Sequence, residues 1–245
     1  MKNHISLFIF AIALLSGPVS ANDLSMTAVK DTLASIPGEH NYIYVRTPLG
    51  EDEEKNYDEI TFYDGLGREL DFAQSYGADR AGAIMAHHHL IEYDSLGRKE
   101  KQWLSTNTSF SYMSPEDLKG GVLWDYHDAG KRSYLQTNYE SSPLNRITEQ
   151  YGVGDAWGDH PARMEYLTNI PADSLRCSFY FIDDNDSLIR RGDYRSGELQ
   201  VTKATDEDGK PTYTFVDKQG RTLLTRLGRG NQQADTYFVF DRFGR

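Results

Sequence analysis

The residues in this sequence that are most suited to metal binding are three consecutive histidines, His87, His88 and His89. Imidazole nitrogens bind zinc, but a zinc site needs three or four ligands that converge on one point. Consecutive residues of a β-strand point to opposite faces of the sheet, so the three rings diverge if this segment is a strand. The segment from His89 to Glu92 also lacks the second histidine of the His-Glu-x-x-His zinc motif. We therefore expect a polar strand segment and no metal site.

Two acidic segments contain residue types that bind calcium. They are residues 183–186, Asp-Asp-Asn-Asp, and residues 206–209, Asp-Glu-Asp-Gly. Neither completes the spacing of a calcium-binding loop with a distal glutamate. Asp, Asn and Gly are also the residues that dominate tight turns. We expect both segments to form hairpin turns, and we expect no cofactor.

Catalytic motifs are missing from the sequence. Asp155, Asp159 and His160 lie close together and could exchange protons with a substrate, but acid–base catalysis depends on a geometry that sequence does not give. Cys177 is the only cysteine, so no intramolecular disulfide can form, and its apolar surroundings favour a buried thiol over a nucleophile. No Gly-x-Ser-x-Gly motif, phosphate-binding loop or His-Glu-x-x-His motif occurs. The sequence predicts a protein that is not an enzyme.

A short unit that recurs four times is the most regular feature of the chain. Residues 63–68 read Tyr-Asp-Gly-Leu-Gly-Arg, and residues 93–98 read Tyr-Asp-Ser-Leu-Gly-Arg. Residues 216–221 and 240–245 keep the skeleton of an aromatic or β-branched residue, Asp, two variable residues, Gly and Arg. The residues that we expect to build these repeat turns are Tyr63, Asp64, Gly67, Arg68, Tyr93, Asp94, Gly97, Arg98, Asp217, Gly220, Arg221, Asp241, Gly244 and Arg245.

Each unit has the chemistry of a turn between two strands. An aspartate side chain accepts hydrogen bonds from backbone N–H groups about two residues further on, and glycine adopts a positive φ without a steric clash. Before the first copy, Ile60 and Phe62 alternate with Thr61 and Tyr63, which is the period of a strand. The unit therefore predicts a β-hairpin. We expect its arginine to pair with the repeat aspartate or to stack on a neighbouring tyrosine.

The rest of the chain has the pattern of a mainly β protein. Further strands, separated by polar turns, are predicted for residues 42–47, 134–139, 164–168, 177–182, 188–194, 199–202 and 212–216. A loop is predicted for residues 77–86. Residues 114–117, Ser-Pro-Glu-Asp, have the order of a helix N-terminus. Gly120 and Gly121 predict that this one short internal helix ends within about two turns.

The N-terminus has the features of a secretory signal peptide. Lys2 precedes an apolar run from Ile5 to Leu15, and residues 19–21, Val-Ser-Ala, offer the small side chains of a cleavage site. The run is shorter than the roughly 20 apolar residues that span a membrane. We expect cleavage after Ala21 and an exported chain, periplasmic, secreted or at the cell surface, without a transmembrane segment.

The net charge narrows the range of partners. The chain has a formal charge of −11, and loss of Lys2 with the signal peptide changes it to −12. Proteins that bind nucleic acid present a basic surface to the phosphates. We therefore expect no nucleic acid partner.

The recurring units resemble those of the Rhs or YD-repeat family, which is named after the Tyr-Asp pair. The stretch from about Tyr42 to Leu227 also resembles the uncharacterised domain that precedes the Rhs core in exported proteins of Bacteroidetes-type bacteria. The resemblance implies consecutive antiparallel β-hairpins that form an extended, curved sheet. In full-length relatives it implies a hollow shell around a C-terminal toxin or effector. The matching segments are residues 63–68, 92–98, 142–146, 206–209 and 217–221.

The expected organisation follows from the N-terminal features and from this resemblance. Residues 1–21 are a signal peptide, 22–39 a polar lead-in that is helical or disordered, 40–227 the Rhs-associated β domain, and 228–245 the start of a further repeat. Because the last copy ends at Arg245, before the strand that would follow its turn, we expect a truncated product without the self-cleaving core and the toxin. Its expected partners are further Rhs repeats encoded downstream or components of the cell surface.

The sequence leaves three functions open. The leading expectation is a non-enzymatic, exported structural or interaction protein that forms the N-terminal part of an Rhs-type shell. The alternative is an extracytoplasmic glycan-binding module that uses Trp103, Trp124 and Trp157. A metal-dependent hydrolase, built on residues 87–92 and 155–160, is the least favoured.

Overall fold

The computed structural model describes residues 30–31, 33–34, 36–38, 40–48, 56–78, 84–229, 232–241 and 244. The expected signal peptide lies outside these residues. Within the polar lead-in, residues 30, 31, 33 and 34 are helical. No helix among the described residues is both long enough and apolar enough to cross a membrane.

The described residues form fifteen strands and the helix α1. The prediction of a mainly β, antiparallel fold with one short internal helix is confirmed. The elements are β1 (Asn41–Pro48), β2 (Asn56–Tyr63), β3 (Glu69–Ala78), β4 (Ile84–Tyr93), β5 (Lys99–Trp103), β6 (Thr106–Ser109), α1 (Pro115–Asp125), β7 (Tyr134–Tyr139), β8 (Ile147–Tyr151), β9 (Ala162–Thr168), β10 (Ser178–Ile182), β11 (Leu188–Asp193), β12 (Gln200–Thr205), β13 (Pro211–Val216), β14 (Thr222–Arg229) and β15 (Gln232–Tyr237). Short 3₁₀ turns lie at His127–Ala129, Asp155–Trp157 and Asp173–Leu175.

Thirteen of the strands form one antiparallel sheet that does not close into a barrel. The order along the sheet is β1-β2-β3-β4-β5-β7-β8-β9-β12-β13-β14-β15, and β6 pairs with β4. Most neighbours along the sheet are also neighbours in the chain, which is the arrangement that consecutive hairpins produce. Strands β10 and β11 form a separate two-stranded hairpin.

The loop predicted for residues 77–86 is shorter than expected. Strand β3 continues to Ala78 and β4 begins at Ile84, so that only residues 79–83 lie between them, outside the described part of the chain. Ala86 is fully buried and pairs with Ser75 across the two strands. Alanine is not typical of strands, so the sequence does not predict one here. Ala86 lies in a strand because the tertiary structure buries it.

The chain divides into two compact units. The first contains the chain up to Gln136 together with residues 153–155, and the second contains residues 137–152 and 156–245. The expectation of one β domain over residues 40–227 stays a prediction.

The core of the first unit lies on one face of strands β2, β3 and β4. Ile60 and Phe62 of β2, Ala73 of β3 and Ala86 of β4 are buried at alternate strand positions, and Phe110 joins them after β6. Burying a large apolar side chain stabilises the folded state by about 1.5–3 kcal/mol. The alternation that predicted a strand in the sequence is therefore also the pattern that builds this core.

The helix α1 begins where the sequence predicts. Ser114 is the N-cap residue, and its Oγ accepts a hydrogen bond from the backbone N–H of Asp117 at 3.1 Å. Pro115 occupies the first turn, where its missing N–H costs nothing because that group has no helical partner.

The prediction that α1 ends within about two turns is wrong, because the helix continues through Gly120 and Gly121 to its eleventh residue. Leu118 and Val122 flank the glycines and are buried. A Cβ at Gly121 would lie 2.7 Å from the Thr106 hydroxyl, so the close approach of α1 to β6 uses the missing side chain. This packing outweighs the helix propensity cost of glycine, about 1 kcal/mol per residue.

The core of the second unit is built from strands β12, β13 and β14. Val201, Phe215 and Leu224 are buried there together with Cys177, which precedes β10. Burial raises the pKa of the Cys177 thiol to about 12. The thiol is therefore a poor nucleophile, as the sequence predicts.

Candidate functional site

The first repeat turn, between β2 and β3, is organised by the carboxylate of Asp64. Its Oδ1 accepts hydrogen bonds from the backbone N–H groups of Leu66 and Arg68, both at 2.9 Å, and its Oδ2 accepts one from Nε of Arg68 at 2.7 Å. The Asp64 N–H donates to the Arg68 carbonyl at 2.9 Å, and the Gly67 N–H donates to the Asp64 carbonyl at 3.0 Å. One aspartate therefore holds both the backbone of the turn and the arginine.

The same geometry occurs at two further copies. Between β4 and β5, Asp94 accepts the three corresponding hydrogen bonds at 2.9, 2.9 and 2.7 Å, the last two from Arg98. Between β13 and β14, Asp217 binds the N–H of Arg221 at 3.0 Å and its Nε at 2.8 Å. In the fourth copy the Gly244 N–H donates to the Asp241 carbonyl at 3.0 Å, and Arg245 lies outside the described residues.

The charge of each repeat aspartate is stabilised by its own turn. Desolvation raises the pKa of these carboxyl groups, but the backbone N–H groups and the arginine together outweigh it. The pKa values of Asp64, Asp94 and Asp217 therefore lie below the usual value. In these three turns the aspartate and the arginine therefore form an ion pair with each other.

The arginine of one turn also contacts the following turn at the same edge of the sheet. The guanidinium carbon of Arg68 lies 4.5 Å from the centre of the Tyr93 ring. A Cβ at Gly97 would lie 2.9 Å from a terminal nitrogen of Arg68, so the two turns meet closely. In the second unit, Arg221 lies over the ring of Phe240 at 5.0 Å. Each contact is a cation–π interaction worth about 0.5–2 kcal/mol, and it links one hairpin to the next.

The turn between β7 and β8 depends on a residue that the sequence reasoning missed. Glu140 takes the place of the repeat aspartate, and its two oxygens accept hydrogen bonds from Arg146 at 2.8 and 2.7 Å. Asn145 has a φ of 54° where the other copies have glycine. The hydrogen bonds from Arg146 lower the pKa of Glu140 to about 2. Arg146 also lies over the Tyr166 ring at 4.5 Å, so this turn repeats the arginine contact with a longer spacing.

The two acidic segments considered for calcium form hairpin turns. Asp183 accepts the backbone N–H groups of Asn185 and Ser187, both at 2.9 Å, between β10 and β11. Asp206 accepts the N–H of Lys210 at 2.7 Å between β12 and β13. In both turns an aspartate accepts backbone hydrogen bonds as in the repeat turns, but the position of the repeat arginine is taken by Ser187 or Lys210.

Replacing Gly97 with alanine should destabilise the chain by about 1–2 kcal/mol, because Gly97 has a φ of 81° and a left-handed residue with a Cβ costs about that much. The added Cβ would also displace Arg68. Urea unfolding followed by circular dichroism measures the change. Gly65→Ala is the matched control, because Gly65 has no positive φ and nothing lies within 4 Å of an added Cβ. It should be neutral or stabilising by up to about 1 kcal/mol, and equal losses at both positions would contradict the assignment.

The three histidines alternate between the two faces of β4, as the strand period predicts. His88 is buried, with Nδ1 2.7 Å from Oδ2 of Asp71 and Nε2 3.0 Å from the Ser109 carbonyl oxygen. His87 and His89 lie on the opposite face, and burial lowers the pKa of His89. Among the described residues, no group of three or more His, Cys, Asp or Glu side chains is placed to hold a metal ion.

The three tryptophans have different surroundings. The Trp103 N–H donates to the Glu92 carboxylate at 2.9 Å, and its ring packs against Tyr134 with the ring centres 4.8 Å apart. Trp157 is 45% exposed in a 3₁₀ turn, and Trp124 is 83% exposed on α1. Trp103 and Glu92 are therefore used in packing, and Trp124 offers the most accessible ring of the three.

The Asp155 carboxylate, a candidate for acid–base chemistry, stabilises a loop. It accepts the backbone N–H groups of Lys131 and Arg132 at 3.1 and 3.0 Å. The backbone N–H of His160 donates to the Trp157 carbonyl at 3.2 Å. Asp155 and Glu92 therefore both accept hydrogen bonds from groups of the chain itself.

Comparison with known protein families gives a match over the first hairpins. The model of a protein family described as a domain of unknown function, DUF6443, matches residues 41–168. The matched range starts at the first residue of β1 and ends at the last residue of β9, and it contains the first two repeat turns. No curated protein matches the chain. Because the match covers more than half of its residues, the chain belongs to the DUF6443 family.

Proposed function

We propose that this chain is an exported structural and interaction protein without catalytic activity, and that it forms part of a wall of YD-type hairpins as in Rhs-type shells. The observation that carries this proposal is that a repeat arginine makes two contacts, one within its own turn and one with the following turn. Arg68 closes its own turn through Asp64 and packs on Tyr93 of the following turn. The turn closed by Arg68 thereby provides a contact for the turn that follows it at the same edge.

The strand order supports the same role. Strands that are consecutive in the chain lie side by side over most of the sheet, so further hairpins could be added in chain order without rearranging those already present. The partners proposed on this basis are further hairpins of the same kind or components of the cell surface. The DUF6443 match spans the first hairpins of this arrangement.

Expression with its own leader should give a mature chain that begins at Asn22 outside the cytoplasm. Cell fractionation and mass spectrometry of the N-terminus measure this. Leu14→Arg interrupts the apolar run and should keep the precursor in the cytoplasm. Trp124→Ala, which leaves the leader unchanged, is the control and should be exported normally. An uncleaved cytoplasmic wild-type chain would contradict export.

The structural role can be tested at the level of the gene. If the chain contributes to a larger hairpin wall, units of the form aromatic, Asp, two variable residues, Gly and Arg should be encoded downstream of Arg245 or in an adjacent gene. Sequencing of the surrounding DNA decides this, and a neighbourhood without such units would remove the shell from the proposal.

Glycan binding stays a second candidate because Trp124 is 83% exposed. An exposed indole offers a large, rigid face for contact with a ligand. Titration of the purified chain with oligosaccharides should change its tryptophan fluorescence, and Trp124→Ala should abolish the change. Fluorescence that is indifferent to sugars would exclude this site.

A further inference from the structure

A cluster of cationic and aromatic side chains lies in the first unit, on one face of strands β4, β5 and β7. Glu92, Lys101 and Gln136 stand opposite one another across these strands, and Trp103 stands opposite Tyr134. Directly opposite residues of an antiparallel pair lie on the same face of the sheet, and so do residues two positions apart in one strand. The five side chains therefore form two adjacent rows on one face.

Cations lie close to both aromatic rings of the cluster. Nζ of Lys101 is 5.3 Å, and the guanidinium carbon of Arg132 is 5.4 Å, from the centre of the Tyr134 ring. Lys119, which belongs to α1, has its Nζ 5.9 Å from the centre of the Trp103 ring. The face of an aromatic ring attracts a cation, so the two rings hold three positive charges in one small region.

The two lysines of the cluster share a carboxylate. Glu92 forms an ion pair with Lys119, and the same carboxylate lies 3.9 Å from Nζ of Lys101. Among the described residues, no other carboxylate lies within 4 Å of either lysine. The cluster is therefore locally positive, although the whole chain has a formal charge of −11. The two lysine side chains are 30% and 28% exposed, so a ligand in solution can reach both.

The surroundings of the cluster favour an acidic sugar over other anions of the same charge. β5 lies between β4 and β7 in the sheet order, so no backbone edge is open there for an added peptide strand. An acidic peptide would also lose conformational entropy for every residue that it orders, whereas sugar rings are rigid before they bind. Nucleic acid strands bind by stacking bases on aromatic faces, but the Tyr134 ring already has two cations close to its centre.

We propose that this cluster is a binding site for an acidic oligosaccharide, whose carboxylate groups pair with Lys101, Lys119 and Arg132. The two aromatic rings hold these cations in position. The proposal goes beyond the hairpin wall, because it concerns a ligand on a face of the sheet and not the turns at its edge. It also does not involve Trp124, the ring considered above for glycan binding.

The test compares tetragalacturonate, in which every sugar ring carries a carboxylate, with maltotetraose, a neutral oligosaccharide of the same length. Each is titrated into the purified, ¹⁵N-labelled chain, and the chemical shift of the Trp103 indole N–H is followed. Tetragalacturonate should shift this signal and bind at least about tenfold more tightly than maltotetraose, because its charges attract the cations. Raising the NaCl concentration from about 20 mM to about 500 mM should weaken its binding, because salt screens this attraction.

Three variants localise the binding. Lys101→Gln removes one cation and should weaken tetragalacturonate by about fivefold or more. Glu92→Gln keeps an oxygen that can accept the Trp103 N–H but removes the competing negative charge, so it should tighten binding. Lys210→Gln is the matched control, because it removes the same charge from a turn of the second unit, where the Lys210 side chain is 73% exposed. It should change the affinity by less than about twofold.

The contrary outcomes are distinct from those that test the hairpin wall. Equal binding of the two oligosaccharides, or equal losses for Lys101→Gln and Lys210→Gln, would overturn the proposal. Tighter binding of a tetraglutamate peptide or of a single-stranded DNA would overturn it in favour of a peptide or a nucleic acid. Trp124→Ala should leave the binding of tetragalacturonate unchanged, and its loss in this variant would overturn the proposal in favour of the exposed indole.

Discussion

Replacing His88 with alanine is expected to lower the folding free energy of the first unit by about 3–5 kcal/mol, the cost of breaking a buried, hydrogen-bonded pair of ionisable side chains by deleting one partner. His88 and Asp71 are 1% and 2% exposed, so the pair lies away from bulk water. Oδ1 of Asp71 already has no hydrogen-bond partner among the described residues. Without His88, Oδ2 would lose its contact as well, and a buried carboxyl group would stand uncompensated.

The hydrogen-bond geometry of this pair fixes its proton count. Nε2 of His88 faces the Ser109 carbonyl oxygen, which can only accept, so Nε2 donates. The contact between Nδ1 and Oδ2 of Asp71, at 2.7 Å, also needs one proton. The pair is therefore neutral overall, and each partner compensates the other. Nitrogen chemical shifts of the His88 ring should show a proton at Nε2 and a hydrogen-bonded Nδ1.

Urea unfolding followed by circular dichroism measures the loss. His87→Ala is the matched control, because it removes the same side chain from the other face of the same strand, where the residue is only half buried. It should cost about 1 kcal/mol or less. The double variant, Asp71→Ala with His88→Ala, should lose clearly less free energy of unfolding than the two single variants lose in sum. Similar losses for His87→Ala and His88→Ala would contradict the buried-pair interpretation.

The features that sequence predicted correctly are those whose cause lies within a few residues. Asp64, Gly67 and Arg68 interact with one another and with the backbone between them, so their types and spacing are sufficient to predict the turn. The start of α1 also has a local cause, since the Ser114 hydroxyl accepts a hydrogen bond from the backbone N–H of Asp117, three residues later. The strand order follows from repeating such hairpins, which explains why the fold class could be predicted.

The features that sequence did not reveal depend on residues far apart in the chain. His88 and Asp71 are brought together by the pairing of β3 with β4, in which Ala73 stands opposite His88, and the histidine run alone gives no hint of it. The helix passes through Gly121 because Thr106 packs against it. Tertiary contacts of this kind outweigh local propensity.

The candidate site was predictable to a smaller extent than the fold. Glu140 escaped notice because it stands six residues before Arg146, and the other copies have a spacing of four. A cleft of about 140 Å³ in the second unit combines Phe179 of one hairpin with Phe238, which follows another strand, so no short motif contains it. The glycan-binding and hydrolase hypotheses started from single residue types, and therefore considered tryptophans and acidic loops and not this cleft.

In the second unit, Asn169→Ala should cost about 2–5 kcal/mol, because it leaves buried backbone groups without partners. Asn169 is fully buried at the end of β9. Its Oδ1 accepts the N–H of Leu199 at 2.8 Å, and its Nδ2 donates to the carbonyl oxygens of Arg195 at 2.8 Å and Tyr194 at 3.4 Å. One amide thus fixes the loop between β11 and β12 against β9, and alanine can replace neither its donor nor its acceptor.

Asn169→Asp separates the two halves of this interaction. A carboxylate still accepts the Leu199 N–H, but it turns a negative oxygen toward the Arg195 carbonyl, so the loss should be at least as large as for alanine. Asn185→Ala is the control, since Asn185 is exposed in a turn and its backbone N–H makes the turn contact. It should change the free energy of unfolding by about 0.5 kcal/mol or less. Hydrogen exchange of the Leu199 amide gives a local readout, and an amide that stays as protected in Asn169→Ala as in the wild type would show that the side chain does not hold this loop.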